Sequence, residues 1–154
     1  MGIYGDRALE LQREGFSCAQ SVVGSLCERY GVDRVTALRF AGVFGSGIGM
    51  STETCGVITG AMMLIGLKYG KKFPDDPADF DSFGVAQEFI SKFKALHDGK
   101  FKCRDLLGHD ASKEEELSYI LENNLYEKIC QRMVHDGADM IYELLEGAPS
   151  EKEK

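Results

Sequence analysis

The sequence is poor in residues and patterns that several classes of protein require. Its 154 residues include no tryptophan and three prolines, and 18 basic residues stand against 25 acidic ones, for a net charge of -7. This acidic balance argues against a partner with a phosphate backbone, so we expect no nucleic-acid binding. The longest uncharged segment with a helical pattern, residues 54–67, has 14 residues, fewer than the roughly 20 that span a bilayer. We therefore expect no membrane insertion.

Targeting signals and compact cysteine motifs are also missing. No segment near the N-terminus combines a basic flank with an apolar core, so we expect no secretory signal and a cytoplasmic protein. The sequence lacks C-x-x-C, C-x-x-C-H and paired C-x-x-C motifs, which leaves thioredoxin-type chemistry, covalent haem and zinc knuckles without support. Five cysteines, an odd number, in a reducing compartment argue against a disulfide framework and favour redox or metal roles for some of them.

Helical patterns cover most of the chain, and no segment shows the alternation of a half-buried strand. We therefore predict an all-α fold, a single-domain helical bundle over residues 1–147 with a disordered tail over residues 148–154. The bundle has about six to seven helices, with a glycine-rich loop before the central helix. The segments with helical signals are 3–14, 17–30, 35–43, about 51–70, 77–98, a short turn that ends at Gly108, 112–122 and 125–146.

Local signals predict two helix starts and one buried face. Ser17 with Gln20, and Ser112 with Glu115, have the spacing of a capping box, in which each side chain bonds to the backbone N–H of the other residue. In the helix predicted from residue 77, side chains at steps of three and four form a stripe that faces the core. The members of this stripe are Phe83, Ala86, Ile90, Phe93 and His97.

The central segment joins a glycine-rich loop to an apolar helix. Gly45, Gly47 and Gly49 alternate with larger residues, so the backbone there can adopt positive φ and another group can approach it closely. Ser51 or Thr52 is expected to cap the helix, which places Cys55 in its first turn. The positive end of a helix stabilises a thiolate, so we expect the pKa of the Cys55 thiol to be lowered.

Gly56 and Gly60 lie four residues apart on one side of this central helix. Their lack of a side chain leaves a groove in which a second helix or a ligand can come close to the backbone. The pattern therefore fits close helix packing, a binding site, or both.

Four of the five cysteines lie where the sequence favours reactivity or an inward position. Cys18 begins a helix, as Cys55 is expected to, and Cys103 lies between two basic residues, so each setting favours the thiolate. Cys130 shares an inward-facing stripe of the last helix with apolar residues. Cys27 points about half a turn away from Cys18, and we interpret it as packing. The candidate catalytic residues are therefore Cys18, Cys55, Cys103 and Cys130.

The order of the cysteine-containing segments resembles that of the C_GCAxxG_C_C family, a group of small redox-active proteins. The similar segments are F-S-C-A-Q at 16–20, C-G-V-I-T-G-A-M-M-L-I-G-L-K-Y-G at 55–70, C-R-D-L-L-G at 103–108 and the cysteine of the last helix, within about residues 15–140. The resemblance implies that Cys18, Cys55, Cys103 and Cys130 are the four family cysteines and that Gly56 and Gly60 are its motif glycines. Val57 stands where the family usually has alanine.

The leading hypothesis is a thiol-based oxidoreductase that uses the four dispersed cysteines for thiol/disulfide electron transfer with an unidentified redox partner. A thiolate at Cys55 or Cys18 would attack, and Cys103 is the candidate for the thiol that resolves the mixed disulfide. Four cysteines allow three complete pairings, and the sequence does not choose among them.

Two alternatives use the same residues differently. In the first, the four cysteines are ligands of an iron–sulfur cluster or a zinc ion, and the cofactor lies against the backbone of Gly47, Gly49, Gly56 and Gly60. In the second, the cysteines only pack, and the protein is a helical interaction module whose glycine groove docks a partner helix. A homo-oligomer would also fit a glycine-lined helix surface.

Overall fold

The computed structural model describes residues 2–77 and 82–147, and within these ranges the protein is an all-α bundle of eight helices. The all-α prediction is confirmed, with slightly more helices than expected. The predicted tail, 148–154, lies outside the described residues. The helices are α1 Ile3–Arg13, α2 Cys18–Leu26, α3 Arg34–Phe40, α4 Gly56–Tyr69, α5 Ser82–Leu96, α6 Cys103–Leu107, α7 Glu114–Glu122 and α8 Leu125–Glu146, with a short 3₁₀ helix, Cys27–Tyr30, after α2.

Helix α4 lies at the centre of the bundle. It is apolar around its whole circumference, as expected of a helix that is covered on several sides, and α2, α5 and α8 all pack against it. The long helix α8 also packs against α1 and α2. No helix among residues 2–77 and 82–147 combines the length and the apolar character that a membrane crossing requires.

The groove predicted along Gly56 and Gly60 is filled by α2. A Cβ atom on Gly56 would lie 2.8 Å from the backbone nitrogen of Ala19, and one on Gly60 would lie 2.9 Å from the carbonyl oxygen of the same residue. Any side chain at either position would therefore push α2 away from α4. The two glycines serve close helix packing, one of the interpretations that the sequence allowed.

A second tight helix contact lies between Gly137 of α8 and Val57 of α4. A Cβ atom at position 137 would lie 2.2 Å from the Cγ1 atom of Val57. Valine is stiff at χ1 in a helix, so this methyl group cannot rotate away easily. We expect the Gly137→Ala substitution to lower the free energy of unfolding by about 1–3 kcal/mol because it overpacks this contact.

This prediction is tested by urea denaturation of a double-mutant cycle with Val57→Ala, which removes the opposing methyl groups. The double variant should be more stable than the two single effects predict by about 1 kcal/mol or more. Gly66→Ala is the matched control, because a Cβ there meets no atom within 4 Å and alanine is the better helix former. Strictly additive effects at positions 57 and 137 would contradict the predicted contact.

Several local predictions are confirmed and others are corrected. Ser17 and Gln20 form the predicted capping box. Ser112 does not cap α7, because its N–H and hydroxyl groups both donate to the Asp110 carboxylate, and Lys113 takes the N-cap position.

The predicted apolar stripe of α5 also needs correction. Phe83 is 72% exposed, whereas Phe89 and Phe93 are fully buried, so the buried face is centred on a residue outside the predicted set. The predicted start of this helix is next to residues 78–81, which lie outside the described part of the chain. The structure describes α5 from Ser82.

Candidate functional site

The four candidate cysteines come together at one place in the bundle. Cys18 is the first residue of α2, Cys103 is the first residue of α6, and Cys55 is the N-cap of α4. Cys130 lies within α8 in the core cluster against which Cys18 packs, and it is the largest cause that raises the pKa of the Cys18 thiol. Cys55 lies within electrostatic reach of both Cys18 and Cys103. All four are free thiols, contributed by four different helices.

A short antiparallel backbone pairing joins the two segments that contain Cys55 and Cys103. Thr54 and Lys102 form an isolated bridge. On either side of this bridge, the Cys55 N–H donates to the carbonyl of Phe101 at 2.8 Å, and the Cys103 N–H donates to the carbonyl of Glu53 at 2.7 Å. The segment is too short to show strand periodicity, so the sequence pattern did not indicate it.

The contact between α2 and α4 brings Cys18 to the same position. A Cβ atom on Gly56 would lie only 3.0 Å from the Cβ atom of Cys18. Gly56 directly follows Cys55, so its missing side chain is what allows Cys18 to lie close to Cys55.

The loop before α4 has a left-handed backbone. Ser46, Ile48, Met50 and Thr52 have φ values between 52° and 64°, and Gly47 and Gly49 are also positive. Positive φ costs a residue with a side chain about 1–2 kcal/mol. Positive φ was predicted for Gly45, Gly47 and Gly49, but Gly45 does not adopt it, and its extension to four residues with side chains was not predicted. Strained backbone of this kind is concentrated at functional sites.

Backbone hydrogen bonds hold this loop in place. The N–H of Gly49 donates to the carbonyl of Val43 at 2.7 Å, and the N–H of Thr52 donates to the carbonyl of Ser46 at 3.1 Å. The loop occupies residues that were expected to begin the helix, so α4 begins only at Gly56. Cys55 is therefore the cap rather than a residue of the first turn.

Two hydroxyl groups that the sequence analysis did not identify border the cysteines. The Ser46 Oγ atom lies 3.9 Å from the Cys103 Sγ atom and 2.6 Å from the Tyr126 Oη atom. Tyr126 precedes Cys130 by four residues, so both project from the same face of α8. That spacing is a signal the sequence offered for Tyr126, whereas nothing in the sequence indicated Ser46.

The expectation of lowered thiol pKa values is wrong for three of these cysteines. The interaction with Cys130, followed by burial, raises the pKa of the Cys18 thiol well above its ordinary value. Burial is the largest cause that raises the pKa of Cys55 and also that of Cys103. Burial and the neighbouring thiols therefore raise these pKa values by more than the positive helix ends lower them.

The basic neighbours of Cys103 have a different partner. Arg104 and Lys102 lie 3.1 Å and 3.7 Å from the carboxylate of Glu53. The short pairing described above brings this carboxylate to them. Both basic groups therefore form ion pairs with a surface carboxylate instead of stabilising a thiolate at Cys103.

The fifth cysteine is separate from this group. Cys27 is fully buried in a small apolar cluster with Ala19, Val23, Ala37 and Ala41. The interpretation of Cys27 as a packing residue is confirmed.

The structure also locates the residues of the cofactor hypothesis. In the described part of the chain, no group of three or more histidine, cysteine, aspartate or glutamate residues is arranged to hold a metal ion. A Cβ atom on Gly47 would lie 2.4 Å from the backbone nitrogen of Glu53, so this glycine is needed for the closure of the loop. The cofactor-binding role of Gly47, Gly49, Gly56 and Gly60 stays a prediction.

Comparison with known proteins gives one match. The model of the family described as "Putative redox-active protein (C_GCAxxG_C_C)" matches residues 16–144. Neither the search of curated proteins nor the search of solved structures returned a match. The matched residues run from the start of α2 into α8 and include all four clustered cysteines. On this match over most of its length, the chain belongs to the C_GCAxxG_C_C family.

Proposed function

We propose that this protein is a thiol-based oxidoreductase in which Cys18 and Cys130 exchange two electrons with a disulfide substrate. The observation that carries the proposal is the grouping of four free thiols, in which Cys18 packs against the apolar cluster that contains Cys55, Cys103 and Cys130, and Cys130 is the largest cause that raises the pKa of the Cys18 thiol. Cys18 is half-buried, whereas Cys55, Cys103 and Cys130 are buried, so Cys18 is the most exposed of the four residues and the one to which we assign the first reaction with a substrate. The description of the family as redox-active agrees with this chemistry.

The exchange proceeds through a mixed disulfide. The Cys18 thiolate attacks one sulfur of the substrate disulfide, forms a bond to it and expels the other substrate sulfur as a thiolate. The Cys130 thiolate then attacks the Cys18 sulfur, forms the Cys18–Cys130 disulfide and expels the second substrate thiolate. The substrate gains two electrons, the protein loses two, and the protons released by Cys18 and Cys130 pass to the two substrate thiolates.

Cys55 and Cys103 provide a second pair of electrons. Cys55 interacts electrostatically with Cys18 and with Cys103. In the proposed transfer, the Cys55 thiolate attacks Cys18 and releases Cys130, and Cys103 then attacks Cys55 and releases Cys18. The result is a Cys55–Cys103 disulfide and a reduced Cys18–Cys130 pair. This scheme gives the resolving role to Cys130, whereas the sequence analysis favoured Cys103.

Anaerobic purification followed by metal analysis, an absorbance spectrum and a thiol count tests this function against the metal hypothesis. We expect no stoichiometric metal, and four thiols that interconvert reversibly with two disulfides while Cys27 stays reduced. Stoichiometric iron or zinc with few reactive thiols would instead make the cysteines ligands and would contradict the proposal. Failure of all four thiols to oxidise in folded protein would leave packing as their role and would contradict it equally.

A further inference from the structure

A chain of two hydroxyl groups ends at one thiol of the cluster. The Tyr126 Oη atom lies 2.6 Å from the Ser46 Oγ atom, which lies 3.9 Å from the Cys103 Sγ atom. The disulfide exchange described above uses the four sulfurs and leaves both hydroxyl groups without a role.

We propose that Ser46 and Tyr126 form a hydrogen-bond relay that stabilises the Cys103 thiolate and so makes Cys103 the leaving group when the Cys55–Cys103 disulfide opens. The leaving-group part of this inference rests on the proposed function, whereas the stabilisation of the thiolate does not. When the Cys18 thiolate attacks the Cys55 sulfur, a Cys18–Cys55 bond forms and the Cys55–Cys103 bond breaks. Its electron pair goes to the Cys103 sulfur, which then accepts a hydrogen bond from Ser46.

The charge on the Cys103 sulfur determines which group donates and which accepts in each hydrogen bond of the relay. A thiolate has no proton and can only accept, so the Ser46 hydroxyl must donate to it. The Ser46 oxygen is then free to accept from the Tyr126 hydroxyl, which strengthens the first bond by polarisation. A separation of 3.9 Å is long, as expected for a neutral thiol, which is a weak acceptor; hydrogen bonds to an ionised acceptor are shorter and stronger.

The fold supports both hydroxyl groups in these positions. Ser46 has a φ of 52°, a strained value, and its carbonyl accepts a hydrogen bond from the N–H of Thr52. Tyr126 projects from α8 one turn before Cys130 and is partly buried. Burial raises the pKa of the Tyr126 hydroxyl, so this group keeps its proton and remains a donor. The Ser46 hydroxyl opposes the effect of burial on the pKa of Cys103.

The relay is tested by an NMR titration of the fully reduced, full-length protein labelled with ¹³Cβ-cysteine, which reports the protonation of each thiol whether or not a reagent can reach it. In Ser46→Ala we expect the Cys103 titration to move upward by about one pH unit, the value of one charge-assisted hydrogen bond. Ser46→Gly should give the same shift, although glycine relieves the backbone strain. Tyr126→Phe should shift Cys103 in the same direction by less.

Tyr119→Phe is the matched control, because it removes a hydroxyl from an exposed position on α7. It should leave all thiol titrations unchanged. Unchanged titration of Cys103 in both Ser46 variants, or equal shifts at all four thiols, would overturn the relay. The titration needs no disulfide, so this outcome is distinct from a failure of electron transfer, which is measured separately by oxidation of the wild-type protein.

Discussion

Replacing Cys18 with serine should lower the rate of reaction with oxidised glutathione by more than about a hundredfold, because it removes the nucleophile that starts the exchange. The half-buried position of Cys18 and its interaction with Cys130 make it the first thiol in the scheme. The rate is measured as release of reduced glutathione from the anaerobic, fully reduced protein. Serine also keeps a hydrogen-bonding group of similar size, so the fold should be retained.

Two further variants make this result specific. The double variant Cys55→Ser/Cys130→Ser lacks both thiols that attack Cys18 in the scheme, so it should still react at Cys18 but should accumulate the Cys18–glutathione mixed disulfide, which intact-mass spectrometry detects as one added glutathione. Cys27→Ser is the matched control, since Cys27 packs in a separate apolar cluster, and its rate should equal that of the wild type. A Cys18→Ser protein that reacts at the wild-type rate, or an equal loss in Cys27→Ser, would refute the assigned roles.

Raising the pH above 9 should destabilise the reduced protein much more than the oxidised one. The pKa values of Cys18, Cys55 and Cys103 are raised from the ordinary value of 9.0 in the folded state. The folded protein therefore keeps protons that the unfolded chain releases, so the stabilisation is complete below pH 9 and is lost progressively above it. Each unit of pKa shift corresponds to about 1.4 kcal/mol, so several raised thiols together make a large effect.

Thermal unfolding at a series of pH values from 7 to 11, under reducing and oxidising conditions, measures this difference. Disulfides have no proton to lose, so the melting temperature of the oxidised protein should depend less on pH. Cys55→Ser removes one raised thiol and places a favourable N-cap residue at the start of α4, and it should flatten the curve of the reduced protein. Parallel curves for the reduced and oxidised proteins would show that burial does not raise the thiol pKa values.

The sequence predicted most of the fold because its signals are local. The capping box at Ser17, the break between the helices predicted at 112–122 and 125–146, and the apolar character of α4 each depend on neighbouring residues, and the structure contains all three. The position of Cys18 at the first residue of a helix follows from the same kind of signal. Gly56 and Gly60 also pointed correctly to a close helix contact, although not to α2 as the partner.

The chemistry of the site was harder to predict because it depends on contacts between distant parts of the chain. Lys102 and Arg104 flank Cys103 in the sequence, yet their charge goes to Glu53, which lies about fifty residues earlier. The backbone amides at the N-terminal end of α4 do lower the pKa of the Cys55 thiol. Burial, which depends on the tertiary structure, raises it by more. The positive φ values of the loop that positions Ser46 could not be predicted from the sequence, because residues such as Ile48 and Met50 do not favour positive φ.

The central claim, that Cys18 and Cys130 form the reactive pair, is tested most directly by disulfide mapping of the native wild-type protein after oxidation with a single equivalent of oxidised glutathione. Proteolysis under acidic conditions and mass spectrometry of the linked peptides identify the pair that forms first in the population. We predict a Cys18–Cys130 disulfide, with a Cys55–Cys103 disulfide as the product of internal transfer. A first disulfide that joins Cys18 to Cys103, or one that involves Cys27, would contradict the assignment.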